Sequence, residues 1–219
     1  MAGRTIAIGD IHGCSVALDK LLAAIHPTAD DTLIPLGDFI DRGPDSRGVV
    51  QRLLDLQSKC TLIPIFGNHE EMLMQAGVGG ESETKFWLNC GGLATIESYG
   101  GGLDSMPMEH IRLISQCRRW HETDTHLFLH ANYLPHLPLD KQPPGHLRWI
   151  SLFEYQPEAH QSGKTAVVGH TTQRNGEILD LGYLKCIDTF CHGGGWLTAL
   201  EVNSGDVWQA NQLGELRTT

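Results

Sequence analysis

The residues best suited to chemistry in this sequence follow short apolar runs. Their carboxylate, imidazole and amide groups form a mixed nitrogen and oxygen ligand set without thiolate, which suits Mn, Fe, Zn or Co. The set is too large for one tetrahedral ion and about large enough for two ions that share a ligand. Two such ions, about 3.5–4 Å apart, can act on both the attacking and the leaving oxygen of a displacement at phosphorus. The residues are Asp10, His12, Asp38, Asp41, Arg42, Asn68, His69, His130 and His170.

The elements that must position these residues are alternating strands and helices. Apolar runs at 5–8, 32–36 and 61–66 each lead into a glycine-containing polar motif, and a helical pattern follows. Short apolar strands alternating with amphipathic helices predict βαβ units and a sheet that is covered on both faces. Ligand sites in such sheets lie beyond the carboxyl ends of the strands, where all three motifs fall. We therefore expect an α/β fold with the site at that edge.

The rest of the chain changes character twice. Glycines punctuate two helical stretches within residues 76–125, which predict a helical cap or insertion in a single domain covering residues 1–219. Strand patterns return at 126–130 and 165–170. Short strands and turns alternate from 178 to 210, and their tight spacing predicts an antiparallel sheet that closes the fold.

Composition and charge exclude several classes of protein. The chain has 219 residues, 41% of them hydrophobic, and no apolar run approaches the roughly 20 residues that cross a bilayer. Its formal charge of −10 repels nucleic acid and anionic membranes. The N-terminus lacks the series of charged, apolar and small residues that marks an export signal. We expect a soluble, cytoplasmic protein with neither nucleic acid nor a membrane as its partner.

Five short motifs, in order along the chain, resemble those of the calcineurin-like metallophosphoesterases. Within that superfamily they are similar to the phosphoprotein phosphatase branch of serine/threonine phosphatases, in its bacterial and phage-like form. The resemblance implies a four-layer α/β/β/α sandwich with a two-metal site at the carboxyl ends of the strands. The motifs are Gly-Asp-x-His-Gly at 9–13, Gly-Asp-x-x-Asp-Arg-Gly at 37–43, Gly-Asn-His-Glu at 67–70, Leu-His-Ala at 129–131 and Gly-His-Thr at 169–171.

The resemblance also implies a set of metal ligands. Two divalent cations, manganese being the first expectation and iron, zinc or cobalt the alternatives, would activate a water for direct attack on phosphorus. By this resemblance Asp10 and His12 hold the first cation, Asp38 bridges both, and Asn68, His130 and His170 complete the second.

Three further residues receive roles from the same resemblance. His69 would protonate the leaving alkoxide, Asp41 would orient His69, and Arg42 would bind the phosphate oxygens. A second phosphate-binding arginine is expected later in the chain, and Arg148 is a candidate that lies outside any recognisable motif.

The expected activity is hydrolysis of phosphoserine and phosphothreonine, with phosphotyrosine as a further substrate. The partner would then be a phosphorylated protein or a small phosphoester. Symmetrical hydrolysis of diadenosine tetraphosphate is an alternative, since enzymes of that kind share these motifs. A non-catalytic metal-binding scaffold is a third reading, and the intact His69 and Asp41 argue against it because a binder needs neither.

Overall fold

Ten strands form two mixed sheets in the computed structural model, which describes residues 3–218. Residues 1, 2 and 219, which the predicted domain includes, lie outside the described residues. The strands are β1 (Thr5–Ile8), β2 (Thr32–Pro35), β3 (Thr61–Leu62), β4 (Trp120–Glu122), β5 (His126–Leu129), β6 (Thr165–Val168), β7 (Leu179–Asp180), β8 (Leu184–Cys186), β9 (Leu197–Glu201) and β10 (Val207–Ala210).

Both sheets combine parallel and antiparallel pairs: the first is antiparallel at one edge, and the second is antiparallel at both edges. The first has the order β10-β9-β1-β2-β3, with β1, β2 and β3 parallel. The second has the order β4-β5-β6-β8-β7, with β5, β6 and β8 parallel. The strands at 178–210 pair antiparallel as predicted, β7 with β8 and β9 with β10, but the prediction that they form one closing sheet is wrong. Strands β7 and β8 extend the second sheet beyond β6, whereas β9 pairs with β1 in the first, so the chain crosses between sheets after β8.

Seven α-helices surround the sheets within the described residues. They are α1 (Ser15–Ile25), α2 (Ser46–Leu56), α3 (Asn68–Val78), α4 (Glu81–Trp87), α5 (Leu93–Tyr99), α6 (Met108–Ser115) and α7 (Pro144–Arg148). A π-helical turn, Leu88–Gly92, joins α4 to α5. Within residues 3–218 no helix has both the length and the apolar composition needed to cross a bilayer.

The strands bury side chains on both faces, as the nearly continuous apolar runs predict. Ile6 and Ile8 of β1 pack with α1 and α2, whereas Ala7 packs between the sheets with Phe128 and Val167. The other face of the second sheet packs against short helical segments that include α7. The order of layers is helix, sheet, sheet, helix, which confirms the predicted four-layer sandwich.

Candidate metal centre

The predicted site residues come together at one edge of the two sheets. They lie on loops or at a helix start directly after β1, β2, β3, β5 and β6. Because these strands run parallel within each sheet, their carboxyl ends meet at the same edge. His170 is half-buried and the Arg42 side chain is exposed, while the other seven predicted residues are buried.

Asp38 lies at the centre of this cluster. Its Oδ2 is 3.5 Å from His12 Nε2 and 3.9 Å from His69 Nε2, and its Oδ1 is 3.3 Å from His130 Nε2. One group of potential ligand atoms, all within 4.8 Å of one another, contains His12, Asp38 and His69, and a second contains Asp38, His130 and His170. The Asp38 carboxylate is therefore shared by two adjacent groups, as a bridging ligand would be.

Three histidines have their tautomers fixed by backbone carbonyls. A carbonyl can only accept, so each ring donates one N–H and keeps a lone pair on its other nitrogen. Burial lowers the pKa of all three rings, which favours the neutral form. The bonds are His12 Nδ1 to Ile40 O at 2.9 Å, His130 Nδ1 to Leu36 O at 2.8 Å, and His170 Nε2 to Trp149 O at 3.1 Å.

The free lone pairs of two rings converge on one oxygen. His130 Nε2 lies 2.9 Å and His170 Nδ1 lies 3.0 Å from Asn68 Oδ1, and Asp38 Oδ1 is close to the same point. Electron donors that face one another without a proton between them repel unless a cation lies among them. Imidazole, carboxylate and amide oxygen are ligands of divalent transition metals, so the residues fit such an ion.

Asp10 lies outside both groups but contributes another buried carboxylate to the site. Its carboxylate accepts the backbone N–H of His170 at 3.0 and 3.1 Å. Burial and the charges of Asp188 and Asp38 raise its pKa well above the usual value. Three buried carboxylates this close need a positive charge to stay ionised together.

Asp188 is a residue to which the sequence assigns no role. Its carboxylate accepts Thr172 Oγ1–H at 2.7 Å and the N–H of Phe190 at 3.1 Å. Its negative charge helps to raise the pKa of Asp10. The glycine run at 193–195 is the only sequence signal for this part of the site.

His69 and Asp41 form a buried pair beside the two ligand groups. His69 Nδ1–H donates to Asp41 Oδ2 at 2.7 Å. His69 Nε2 is the one buried side-chain nitrogen or oxygen within residues 3–218 that has no hydrogen-bond partner. Burial lowers the pKa of His69, but the Asp38 charge and the bond to Asp41 outweigh it, so the pKa is raised. The ring can therefore hold a proton on an atom that faces the site.

Asp41 receives two more hydrogen bonds, from residues that the sequence leaves out of the site. Trp87 donates its indole N–H to Oδ2 at 2.8 Å. Thr95 donates its hydroxyl to Oδ1 at 2.6 Å. Neither residue belongs to a recognisable motif.

The two arginines named from the sequence have different surroundings. Arg42 Nη1 donates to His12 Nε2 at 2.8 Å, so its guanidinium reaches the ligand groups. Arg148 instead forms a two-point ion pair with Glu71, at 3.0 and 2.6 Å, and lies over the Phe66 ring. Because this pair occupies its guanidinium, the structure does not support Arg148 as the second phosphate contact.

Glu70 supports the loop that carries Asp38. Its carboxylate accepts backbone N–H groups from Asp38 at 2.8 Å, Phe39 at 2.8 Å and Gly67 at 3.1 Å. These bonds join the loop after β2 to the start of α3. Glu70 therefore positions Asp38, in line with the supporting role that its place at the helix start indicates.

The site backbone is strained. Seven non-glycine residues within residues 3–218 have a left-handed φ, and such a conformation costs about 1–3 kcal/mol for each residue. Strain of this kind persists only where neighbouring contacts hold it, and it concentrates at functional sites. Five of the seven are predicted site residues, namely His12, Asp38, Asp41, Arg42 and His170.

His192, to which the sequence assigns no role, lies against the candidate ligands. The His192 ring packs edge-on against His12, with 4.6 Å between centroids, and against Phe190 at 5.1 Å. The Arg174 guanidinium lies over the Phe190 ring, 5.5 Å from its centroid. The glycine-rich run beside His192 was again the only sequence signal.

Comparison with known proteins agrees with this geometry. The family model for calcineurin-like phosphoesterases matches residues 3–177. The chain therefore belongs to the calcineurin-like phosphoesterase family and is a hydrolase of the phosphoesterase superfamily. The resemblance seen in the five motifs is confirmed.

Two curated relatives match part of the chain. A segment of 73 residues, 33% of this chain, is 41% identical to the symmetrical bis(5'-nucleosyl)-tetraphosphatase of Acidovorax sp. strain JS42 and covers 25% of that protein. A segment of 86 residues, 39% of this chain, is 38% identical to serine/threonine-protein phosphatase 1 of Salmonella typhimurium and covers 37% of it. The chain thus aligns with well under half the length of these two relatives.

Solved structures extend the likeness of fold over the whole chain. A candidate diadenosine tetraphosphatase superposes with a TM-score of 0.74 and 24% identity, over 96% of this chain and 94% of that one. A cold-active protein-tyrosine phosphatase from Shewanella superposes with a TM-score of 0.70 and 16% identity, over 100% and 80%. These matches confirm the predicted fold.

Proposed function

We propose that this protein is a metal-dependent phosphomonoesterase that acts on phosphoserine and phosphothreonine, and on phosphotyrosine as well. The observation that carries the proposal is the buried His69 Nε2, which lacks a partner and lies beside Asp38. An alkoxide is a poor leaving group, so its departure needs a proton from a positioned acid. A site that only bound metal would need no such atom.

The residues divide the remaining work between them. Asp10, His12, Asp38, Asn68, His130 and His170 would hold two divalent cations, with Asp38 between them. When bound, these ions activate water and offset the charge that builds up on phosphate in the transition state. Arg42 would bind phosphate oxygens with its planar guanidinium. Asp41 holds one proton of the His69 ring on Nδ1, so the second proton of the charged ring lies on Nε2, which faces the substrate.

A substrate panel tests the proposal. The protein is stripped of metal with a chelator and reloaded in turn with Mn²⁺, Fe²⁺, Zn²⁺ or Co²⁺. It is then assayed on p-nitrophenyl phosphate and on phosphoserine, phosphothreonine and phosphotyrosine peptides. We expect turnover of the peptides that depends on metal and is highest with Mn²⁺. Turnover without metal, or none with any of these ions, would contradict the proposal.

Symmetrical hydrolysis of a dinucleoside tetraphosphate is the second candidate. It is favoured by the relative from Acidovorax, whose name states that activity, and by one of the solved structures. Release of ADP from diadenosine tetraphosphate at a much higher kcat/KM than any phosphopeptide would support it. Binding of two metals without turnover of any substrate would instead support a scaffold.

A further inference from the structure

Two residues of the helical segment 81–99 reach the acid–base pair from far away in the chain. Trp87 is 46 and Thr95 is 54 residues from Asp41, yet both side chains bond its carboxylate. The indole N–H donates to Oδ2 at 2.8 Å and the Thr95 hydroxyl donates to Oδ1 at 2.6 Å. All three residues are fully buried, so no water competes for these bonds.

These bonds determine the orientation of the Asp41 carboxylate. Oδ2 accepts from both Trp87 and His69, and Oδ1 accepts from Thr95. An ionised carboxylate only accepts hydrogen bonds, so three donors from three directions fix its rotation. The direction of the His69 ring depends on that orientation, because His69 Nδ1 bonds to the same carboxylate.

The same segment holds the strained backbone of the motif. Asp41 and Arg42 have φ values of 71° and 66°. The Asp41 N–H donates to Thr95 Oγ1 at 2.9 Å and to Ser46 Oγ at 3.0 Å, and the Arg42 N–H donates to Gly91 O at 3.1 Å. The left-handed conformation of these two consecutive residues is therefore stabilised by hydrogen bonds that their N–H groups donate to Gly91 and Thr95 of the segment, and to Ser46 outside it.

The segment approaches the motif so closely that side chains are excluded. A Cβ at Gly91 would lie 2.8 Å from Arg42 Cγ of the motif. Within the segment itself, a Cβ at Gly92 would lie 2.5 Å from the ring of Trp87, the residue that bonds Asp41. Both glycines belong to the π-helical turn, Leu88–Gly92, and interruptions of this kind are frequent at functional sites. The two glycines therefore allow the Leu88–Gly92 turn to pack against Arg42 and the Trp87 ring.

We propose that Trp87 and Thr95 are positioning residues, which hold Asp41 so that His69 presents Nε2 to the leaving oxygen of the substrate. This inference rests on the proposed function. In the step concerned, water forms a new P–O bond and the bond from phosphorus to the alcohol oxygen breaks. The electron pair stays on the alcohol oxygen, which takes the proton from His69 Nε2. The proton that water gives up passes to solvent, and His69 regains one from there.

If this is so, the loss of rate in a variant should depend on how readily the leaving group departs. An acidic leaving group such as p-nitrophenol departs without a proton, whereas phenol, whose pKa is about 10 as in tyrosine, needs one. Loss of positioning should therefore slow the poor leaving group and spare the good one. A general loss of structure or metal would slow both.

Trp87→Phe and Thr95→Val test this. Thr95→Val keeps the shape of the side chain and removes the hydroxyl, whereas Trp87→Phe keeps an aromatic ring of smaller size and removes the indole N–H. Tyr99→Phe is the matched control, since Tyr99 lies on the same helix as Thr95, is buried, and bonds His110 Nδ1 at 2.7 Å instead of Asp41. Metal content and thermal unfolding are measured for each variant, together with kcat and KM on phenyl phosphate and p-nitrophenyl phosphate. Thr95→Ser, which restores the hydroxyl, is the rescue.

We expect kcat on phenyl phosphate to fall about 10–100-fold in both variants and kcat on p-nitrophenyl phosphate to change less than about twofold, since a positioned acid contributes about 10²–10⁴-fold. KM should not change, and Thr95→Ser and Tyr99→Phe should behave like the wild type. Equal losses on both esters, or no loss on either, would overturn the inference.

If Thr95→Val fails to fold, Trp87→Phe decides the matter alone. If the wild type hydrolyses neither ester with any metal, the proposed function has failed instead.

Discussion

At the residue scale, Asp38 and His69 lie close together but differ in what surrounds them. Both oxygens of Asp38 lie near imidazole nitrogens of two ligand groups, so its charge acts on each group. His69 has one nitrogen committed to Asp41 and one that faces the site. We therefore expect removal of the Asp38 carboxylate to reduce metal binding, and removal of the His69 imidazole to slow proton transfer to the leaving group.

Asp38→Asn and His69→Asn separate these two roles. We expect Asp38→Asn to lose most of the bound metal and nearly all activity, because a neutral amide is a poor bridge between two cations. We expect His69→Asn to keep its metal and to lose about 10²–10⁴-fold in kcat on phosphopeptides. Elemental analysis and steady-state kinetics on the same preparations provide the measurement. Full metal content in Asp38→Asn would contradict the bridging role.

At the element scale, the sequence predicts the central strands but not every partner of each strand. The apolar runs that become β1, β2, β5 and β6 end where expected, and the motifs follow them. The run at 61–66 yields only the short β3. The N–H groups of Ile63 and Ile65 still donate to Leu33 O and Pro35 O of β2 at 2.9 and 2.8 Å, but Pro35 has no N–H to donate in return. Local patterns carry no information about which sheet a tail strand joins. The sequence therefore does not predict that β8 pairs with β6 and β9 with β1.

The contacts of the 81–99 segment were missed for a similar reason. A tryptophan and a threonine in a helical pattern predict packing, and only the folded chain shows that both bond Asp41. The candidate ligand residues, by contrast, could be found because each stands in a short motif that follows an apolar run. Residues that act through a distant partner have no such local pattern.

The start of the first sheet depends on one ionised carboxylate. Asp31, just before β2, accepts bonds from Arg4 N at 3.0 Å, Arg4 Nη2 at 2.7 Å and Thr28 N at 2.8 Å, and it is 2% exposed. The Arg4 guanidinium and these N–H donors outweigh burial and hold the pKa of Asp31 well below its usual range.

Asp31→Asn should therefore destabilise the protein in a pH-dependent way. Since the folded-state pKa lies below the unfolded value of about 3.9, the carboxylate stabilises the fold above that pH and loses its effect as the pH falls below it. We expect the free energy of unfolding to drop by about 1.5–3 kcal/mol at pH 7, as for hydrogen bonds to a charged group. Urea unfolding of both proteins at pH 7 and pH 3.5 measures this, and a difference that grows at the lower pH would contradict the assignment.

At the scale of the whole molecule, two packed sheets form a rigid base for an acidic site in an already acidic chain. The formal charge is −10, and Asp10, Asp38 and Asp188 are buried close together. In metal-free protein this repulsion is offset only in part, by Arg42 and by the His170 N–H that donates to Asp10. A cation that binds only the folded state relieves it and stabilises the fold by mass action.

Removal of metal should therefore lower the Tm. At a free Mn²⁺ concentration of about 100 times Kd, one site adds about 2.7 kcal/mol, which raises the Tm by about 5–10 °C for a chain of this size. Calorimetry of chelator-treated protein across a Mn²⁺ titration measures the shift. The Asp38→Asn variant is the control and should show little response. An unchanged Tm in the wild type would contradict a metal site in this cluster.

The most direct test of the two-metal site is an anomalous difference map from crystals grown with Mn²⁺, with data collected on both sides of the manganese absorption edge. We predict two peaks about 3.5–4 Å apart, both within ligand distance of the Asp38 carboxylate. One peak should also contact Asp10 and His12, and the other Asn68, His130 and His170. A single peak, or peaks remote from Asp38, would contradict the proposed centre.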